Sequence, residues 1–222
     1  MRLLSALRER SSSRVMQDRL VWQAASLLLA YPDDGFGGRL DTVEELLGPV
    51  SGLGQTAAAL RGREPMAAAM DYVATFDMRR RATMYLTYWT AGDTRNRGRE
   101  MLAFATAYRE AGVQPPSNEA PDHLTVVLEF AATVDPDAGR RLLIAHRVPI
   151  DVLRCALADA KSPYEPAVAA VCQTLPAATD QEARRAERLA RQLLEAGPPA
   201  EAVGLQPFTL TVPPRAEGTP GV

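Results

Sequence analysis

The stretch Val15-Met-Gln-Asp-Arg-Leu-Val-Trp-Gln-Ala-Ala-Ser-Leu-Leu-Leu-Ala-Tyr-Pro32 decides the fold class. Met16, Leu20, Ala24, Leu27 and Tyr31 recur at three- and four-residue steps, the repeat of one helix face, and Pro32 forbids continuation. Outward from this segment the same periodicity returns after every turn signal. No convincing run of alternating β-branched residues interrupts it before the C-terminal tail. The expectation is an all-α chain of about nine to ten helices, with a flexible N-terminus over 1–13 and a globular helical domain over 14–197.

Punctuation along the chain sets the expected helices. Residues 39–47 read as a second helix closed by Gly48-Pro49, 52–60 as a short third, and Pro65 suits the first turn of a helix reaching about Phe76. A helix over 79–90 should follow, then Gly92 as a left-handed cap and Asp93 or Thr94 as the cap of a helix ending at Gly112. Adjacent prolines in 113–120 predict a hinge between two helical halves, 14–112 and 121–197. Beyond it Pro121, Asp135-Pro136 and Pro149 each open a helix, and Ser162-Pro-Tyr-Glu165 and Thr179-Asp-Gln-Glu182 read as capping boxes. Residues 198–222, rich in Pro and Gly with little to bury, are expected to be disordered.

Composition excludes several functions. A 222-residue chain with 46% hydrophobic residues and a net charge of −2 needs neither disulfide nor metal to hold a core, and lacks the positive excess of a general nucleic-acid binder. His123, His146, Cys155 and Cys172 are its only good metal ligands or soft nucleophiles, and neither cysteine lies in a Cys-x-x-Cys pair. Both read as buried, reduced packing residues. There is no His-x-x-x-His, no Gly-x-Ser-x-Gly, no phosphate-binding loop, no export signal and no apolar run long enough to span a bilayer. A cytoplasmic protein without catalytic residues, metal or cofactor of its own is expected, with no nucleic-acid partner and no stable membrane association.

Three constellations remain, each with two readings. Asp122 and His123 point about 100° apart on a helix, which disfavours shared chelation; they read either as a helix-start charge with a partly buried imidazole, or as partner-binding groups. Arg95, Arg97 and Arg99 crowd a helix start where the dipole disfavours cations. They read either as a docking patch for an anion or acidic surface, or as partners of Asp93, Glu100, Asp71 or Asp77. Seven of the 13 aromatic residues, Tyr85 and Trp89 among them, fall between Tyr72 and Tyr108; they fit a packed core, or in part an apolar peptide groove.

Four blocks, in order, carry a family resemblance: Asp71-Tyr-Val-Ala-Thr-Phe-Asp-Met-Arg-Arg-Arg81, Tyr85-Leu-Thr-Tyr88, Gly92-Asp-Thr-Arg95 and Pro121-Asp-His-Leu-Thr-Val-Val-Leu-Glu-Phe130. Over about residues 15 to 165 the chain resembles the molybdenum cofactor assembly chaperones of respiratory nitrate reductase, the delta-subunit family within the redox-enzyme maturation chaperones. The resemblance implies a non-catalytic protein that binds the N-terminal segment of the apo catalytic (alpha) subunit. It would keep that subunit open to molybdenum cofactor and iron–sulfur insertion, touch the cofactor machinery transiently, and delay membrane docking. It also implies client-peptide contacts at Glu119, Pro121, Asp122, His123 and Leu124, with Tyr85 and Trp89 as groove aromatics. The competing expectation is an anion- or phosphate-handling small-molecule enzyme built on Arg95, Arg97 and Arg99.

Overall fold

A computed structural model describes residues 2–47, 51–91, 95–115 and 117–195, and the side chains of 12–47, 51–91, 96–115, 117–189 and 191. The helices are α1 (Arg2–Leu29), α2 (Phe36–Leu47), α3 (Gly52–Arg61), α4 (Pro65–Tyr72), α5 (Tyr88–Ala91) and α6 (Arg95–Glu110). After the linker come α7 (Leu124–Thr133), α8 (Pro136–Ala145), α9 (Arg147–Asp159), α10 (Glu165–Thr174) and α11 (Asp180–Glu195). The described residues thus carry eleven α-helices against the expected nine to ten, α5 being a single turn, and no strand beyond one isolated bridge. The expected disorder of 198–222, and the caps assigned to Gly48-Pro49, Gly92, Asp93 and Thr94, fall outside the described residues.

Several local signals act as expected. Pro65 occupies the first turn of α4, and Gly112 ends α6 with a φ of +79° that a side chain would resist. The Asp135 carboxylate accepts from the N–H groups of Asp137 and Ala138 at 3.1 and 2.9 Å. Thr179 and Glu182 close a reciprocal box, with Glu182 N–H to Thr179 Oγ1 at 3.2 Å and Thr179 N–H to Glu182 Oε2 at 2.8 Å.

Elsewhere the structure corrects the expectation. Helix α1 starts at Arg2 rather than after Ser13, because residues 2–10 are mostly good helix formers and carry the serine triplet within one 28-residue helix. Its buried face is wider than the expected stripe and excludes the stripe's ends: Ala24 is buried and Leu27 packs on the core as expected, Trp22, Ala25, Leu28 and Leu29 are buried too, whereas Met16 and Tyr31 are exposed. The cause is that α1 lies between α7 and α10 and is covered on two sides. Helix α10 begins only at Glu165, so Ser162 caps no helix; its Oγ meets Tyr164 N–H at 3.4 Å. Cys155 is exposed, while Cys172 is buried as expected and its thiol is pushed up to about 12, chiefly by burial.

One continuous core spans the chain on both sides of the 113–120 linker. Trp22, Leu28 and Leu29 of α1 belong to the same cluster as Leu124, Val127 and Leu128 of α7 and Val168 and Val171 of α10. Polar ties reinforce it: Trp22 Nε1 donates to Thr174 Oγ1 at 2.8 Å, Arg19 Nε to the Ala132 carbonyl at 2.7 Å, and Arg140 pairs with Asp18 at 2.7 Å. Helices α7 and α8 meet at Gly139, where an added Cβ would stand 2.3 Å from the Ala131 Cβ.

Candidate functional site

The expected helix over 79–90 does not form. After a 3-10 turn at Arg80–Ala82 the backbone extends from Thr83 and pairs with the chain ahead of α7, Leu86 N–H donating to the Asp122 carbonyl at 3.1 Å and Leu124 N–H to the Met84 carbonyl at 2.9 Å. This antiparallel bridge, centred on Tyr85 and His123, also explains why α7 begins at Leu124 and not at Pro121. Leu124 N–H is used across the bridge and His123 N–H turns back to the Ala120 carbonyl at 3.0 Å, so the chain stays non-helical up to Leu124.

The bridge brings two of the candidate constellations together. Asp122 has no exposed surface, and its Oδ2 accepts from Thr87 N–H at 3.1 Å and from Thr87 Oγ1 at 2.5 Å. Its Oδ1 accepts no hydrogen bond; the nearest cation is Arg97, with Nη2 at 3.7 Å. Arg97 reaches inward from the first turn of α6, its Nε donating to Thr87 Oγ1 at 3.3 Å and its guanidinium lying 4.9 Å from the centre of the Tyr85 ring. Of the partners considered for the arginines, Glu100 instead accepts from Thr90 and Asp71 pairs with Arg63.

Around this clasp lies a half-open rim. Tyr85 Oη donates to Glu119 Oε1 at 3.3 Å, and the same oxygen accepts from Ala120 N–H at 2.8 Å. The His123 ring stands 5.1 Å from the Tyr85 ring, edge to face, with Nδ1 2.7 Å from Thr125 Oγ1. Burial holds the His123 imidazole below its ordinary range despite the nearby Glu119 and Asp122 carboxylates, and burial followed by the Glu119 charge raises the Tyr85 phenol. The Pro121 carbonyl accepts from Tyr108 Oη at 2.7 Å, which fixes the end of the linker against α6.

The candidate residues therefore divide. Tyr85, Glu119 and Pro121 share one region of partly open surface, with His123 buried at its edge and Asp122 and Leu124 fully buried behind it. Trp89 lies apart, buried in a small cluster with Val148, Val152 and Ala186. Arg99 is exposed and Arg97 turns inward, as two residues about 200° apart on a helix must; the Arg95 side chain lies outside the described residues. Sequence reasoning missed Thr87, the residue that holds Asp122, although it stands inside the quoted Tyr85–Tyr88 block. Among the described residues no group of three His, Cys, Asp or Glu side chains is placed to hold a metal ion, and no helix is long and apolar enough to cross a membrane.

Comparison with known proteins gives this region a context. A family model described as "Nitrate reductase delta subunit" matches residues 42–170. The chain is 60% identical over 160 residues to the nitrate reductase-like protein NarX of Mycobacterium tuberculosis, covering 70% of this chain but only 24% of NarX. It is 33% identical over 128 residues to the candidate nitrate reductase molybdenum cofactor assembly chaperone NarJ of Bacillus subtilis, covering 55% of this chain and 70% of that one. A candidate redox enzyme maturation protein from Archaeoglobus fulgidus, solved by crystallography, shares the fold with a TM-score of 0.56 at 23% identity, over 70% of this chain and 91% of that chain.

Proposed function

We propose that this chain, which belongs to the nitrate reductase delta subunit family, is a cytoplasmic chaperone for the catalytic (alpha) subunit of a respiratory nitrate reductase. It binds the N-terminal segment of the apo subunit, holds the subunit open while molybdenum cofactor and iron–sulfur clusters are inserted, and delays membrane docking until then. The molybdenum cofactor is cargo of the client, and contact with the cofactor machinery is transient. The chaperone itself performs no catalysis.

The observation that carries this reading is the rim formed by Tyr85, Glu119 and His123 beside the 113–120 linker. An aromatic face next to a carboxylate suits a basic, amphipathic segment: the ring takes an apolar side chain and Glu119 a cation. The enzyme alternative required Arg95, Arg97 and Arg99 to converge on an anion, and Arg97 instead faces the Asp122 carboxylate.

Co-purification tests the reading directly. The full chain should retain the apo catalytic subunit and lose it when that subunit's N-terminal residues are deleted. Equal retention of both forms would sink it. In calorimetry with the N-terminal peptide, Tyr85→Ala and Glu119→Gln should each weaken binding by about 3- to 10-fold, the range of a partly exposed contact.

A further inference from the structure

We infer that Asp122 is a recessed subsite for an arginine side chain of the client segment, and that Arg97 occupies this subsite in the free chaperone. The inference rests on the client-binding reading above and adds to it a specific ligand group and an internal competitor.

Four observations carry it. First, the carboxylate is half used: Oδ2 takes both Thr87 donors while the buried Oδ1 has no hydrogen bond. An unfilled acceptor on a buried carboxylate is costly unless a donor arrives. Second, Arg97 fills it poorly. Its Nη2 stands 3.7 Å away, whereas Arg140 meets Asp18 at 2.7 Å and Arg147 meets Asp151 at 2.8 Å in the same molecule. Third, the other ties of Arg97 are loose, a 3.3 Å contact to Thr87 and the Tyr85 ring face, and its place in the first turn of α6 disfavours a cation. Fourth, a route exists: the Arg97 side chain is 21% exposed and runs from the surface to a carboxylate that has no exposure of its own.

An incoming guanidinium can follow the same path once Arg97 swings out. Its planar fork can donate to Asp122 Oδ1 while its face lies on Tyr85, a combination an ammonium cannot reproduce. The displaced Arg97 moves into solvent at the helix surface. Binding therefore exchanges a long internal pair for a closer intermolecular one, with little net change in the number of buried charges.

The test uses the full chain and the client's N-terminal peptide, with each arginine in turn replaced by citrulline, its neutral isostere. Arg97→Ala should lower the melting temperature, and saturating peptide should restore more of it than in the wild type. Removing the competitor should tighten the arginine peptide by about 5-fold, and one citrulline replacement should abolish that gain. Arg97→Lys, a milder change, should tighten it less. Unchanged or weaker binding by both Arg97 variants would overturn the inference while leaving the client reading intact. A separate probe, ethylguanidinium, should raise the melting temperature of Arg97→Ala but not of Arg97→Ala/Asp122→Asn. If it does so while no form binds the peptide, the subsite stands and the client reading fails; if it shifts neither variant, the subsite is refuted.

Discussion

Trp22 and Asp122 are buried to nearly the same degree, at 1% and 0% exposure, and each reaches across the fold with a polar atom. The Trp22 indole N–H finds Thr174 at 2.8 Å and is closed off between α1 and α10. Asp122 keeps one oxygen without a hydrogen bond and faces a cation at 3.7 Å. Equal burial therefore serves two ends. Where every polar atom is matched, burial holds the fold; where one is left over, the fold retains a place for something else.

The largest effect expected on this contrast is at the closed end. Trp22→Ala should cost about 3–5 kcal/mol in chemical denaturation, from lost apolar transfer and the cavity left behind. A loss below about 1 kcal/mol would mean that the core does not depend on α1, and the contrast would break. Next comes Gly139→Ala. With the new Cβ 2.3 Å from the Ala131 Cβ and 2.4 Å from its Cα, α7 and α8 must separate, at a cost of about 2–3 kcal/mol measured the same way.

Asp122→Asn sharpens the contrast from the other side. The amide oxygen still accepts from Thr87, so stability should fall by only about 1–2 kcal/mol. Peptide affinity should fall more than 10-fold, because the group that would receive a guanidinium has lost its charge. Trp22→Ala, assayed at a temperature where it remains folded, should leave that affinity within about 2-fold.

A gentler probe is pH. Burial holds both His123 and His146 below their ordinary value of 6.5, so the folded protein favours their neutral forms. As pH falls below about 6.5 the unfolded chain takes up protons before the folded one, and stability should decline; above 6.5 neither residue contributes to the slope. His123 lies in the clasp region and His146 packs on the core ring of Phe104, at 4.7 Å. His123→Gln should therefore flatten only part of the decline between about pH 6.5 and 5.5 in thermal melts. The smallest effect is expected at Lys161, whose φ of 50° places a side chain in the left-handed region at the end of α9. Lys161→Gly should raise stability by up to about 1 kcal/mol and leave peptide binding unchanged.

Much of the fold was readable because its signals are local. Gly112, Asp135-Pro136 and the Thr179–Glu182 box each act within one turn of chain, and all three terminate or open helices as their chemistry dictates. The misread segments are those whose partners are distant in sequence. Residues 79–90 have the composition of a helix, yet Met84 and Leu86 bond to Leu124 and Asp122, nearly forty residues on, and that pairing overrides local preference. The same distance hid the site. The resemblance pointed to Asp122 and the helix dipole singled out the Arg95–Arg97–Arg99 trio, but nothing local shows that Arg97 faces Asp122 or that Thr87 holds it from behind. The full width of the buried face of α1 was missed for a related reason: a helix enclosed on two sides has apolar residues at too many angles for one stripe to describe it.

The place of α1 between α7 and α10 also sets a clock. A chain emerging from the ribosome completes α1 at Leu29, but the last strip of core that covers it ends at Thr174, roughly 145 residues later. At synthesis rates of about 5–20 residues per second, the flank of α1 that α10 covers waits about 7–30 s, although α2 and α3 can dock on the helix sooner. A protein proposed to cover a segment of another chain thus leaves one flank of its own helix α1 open until α10 has been made.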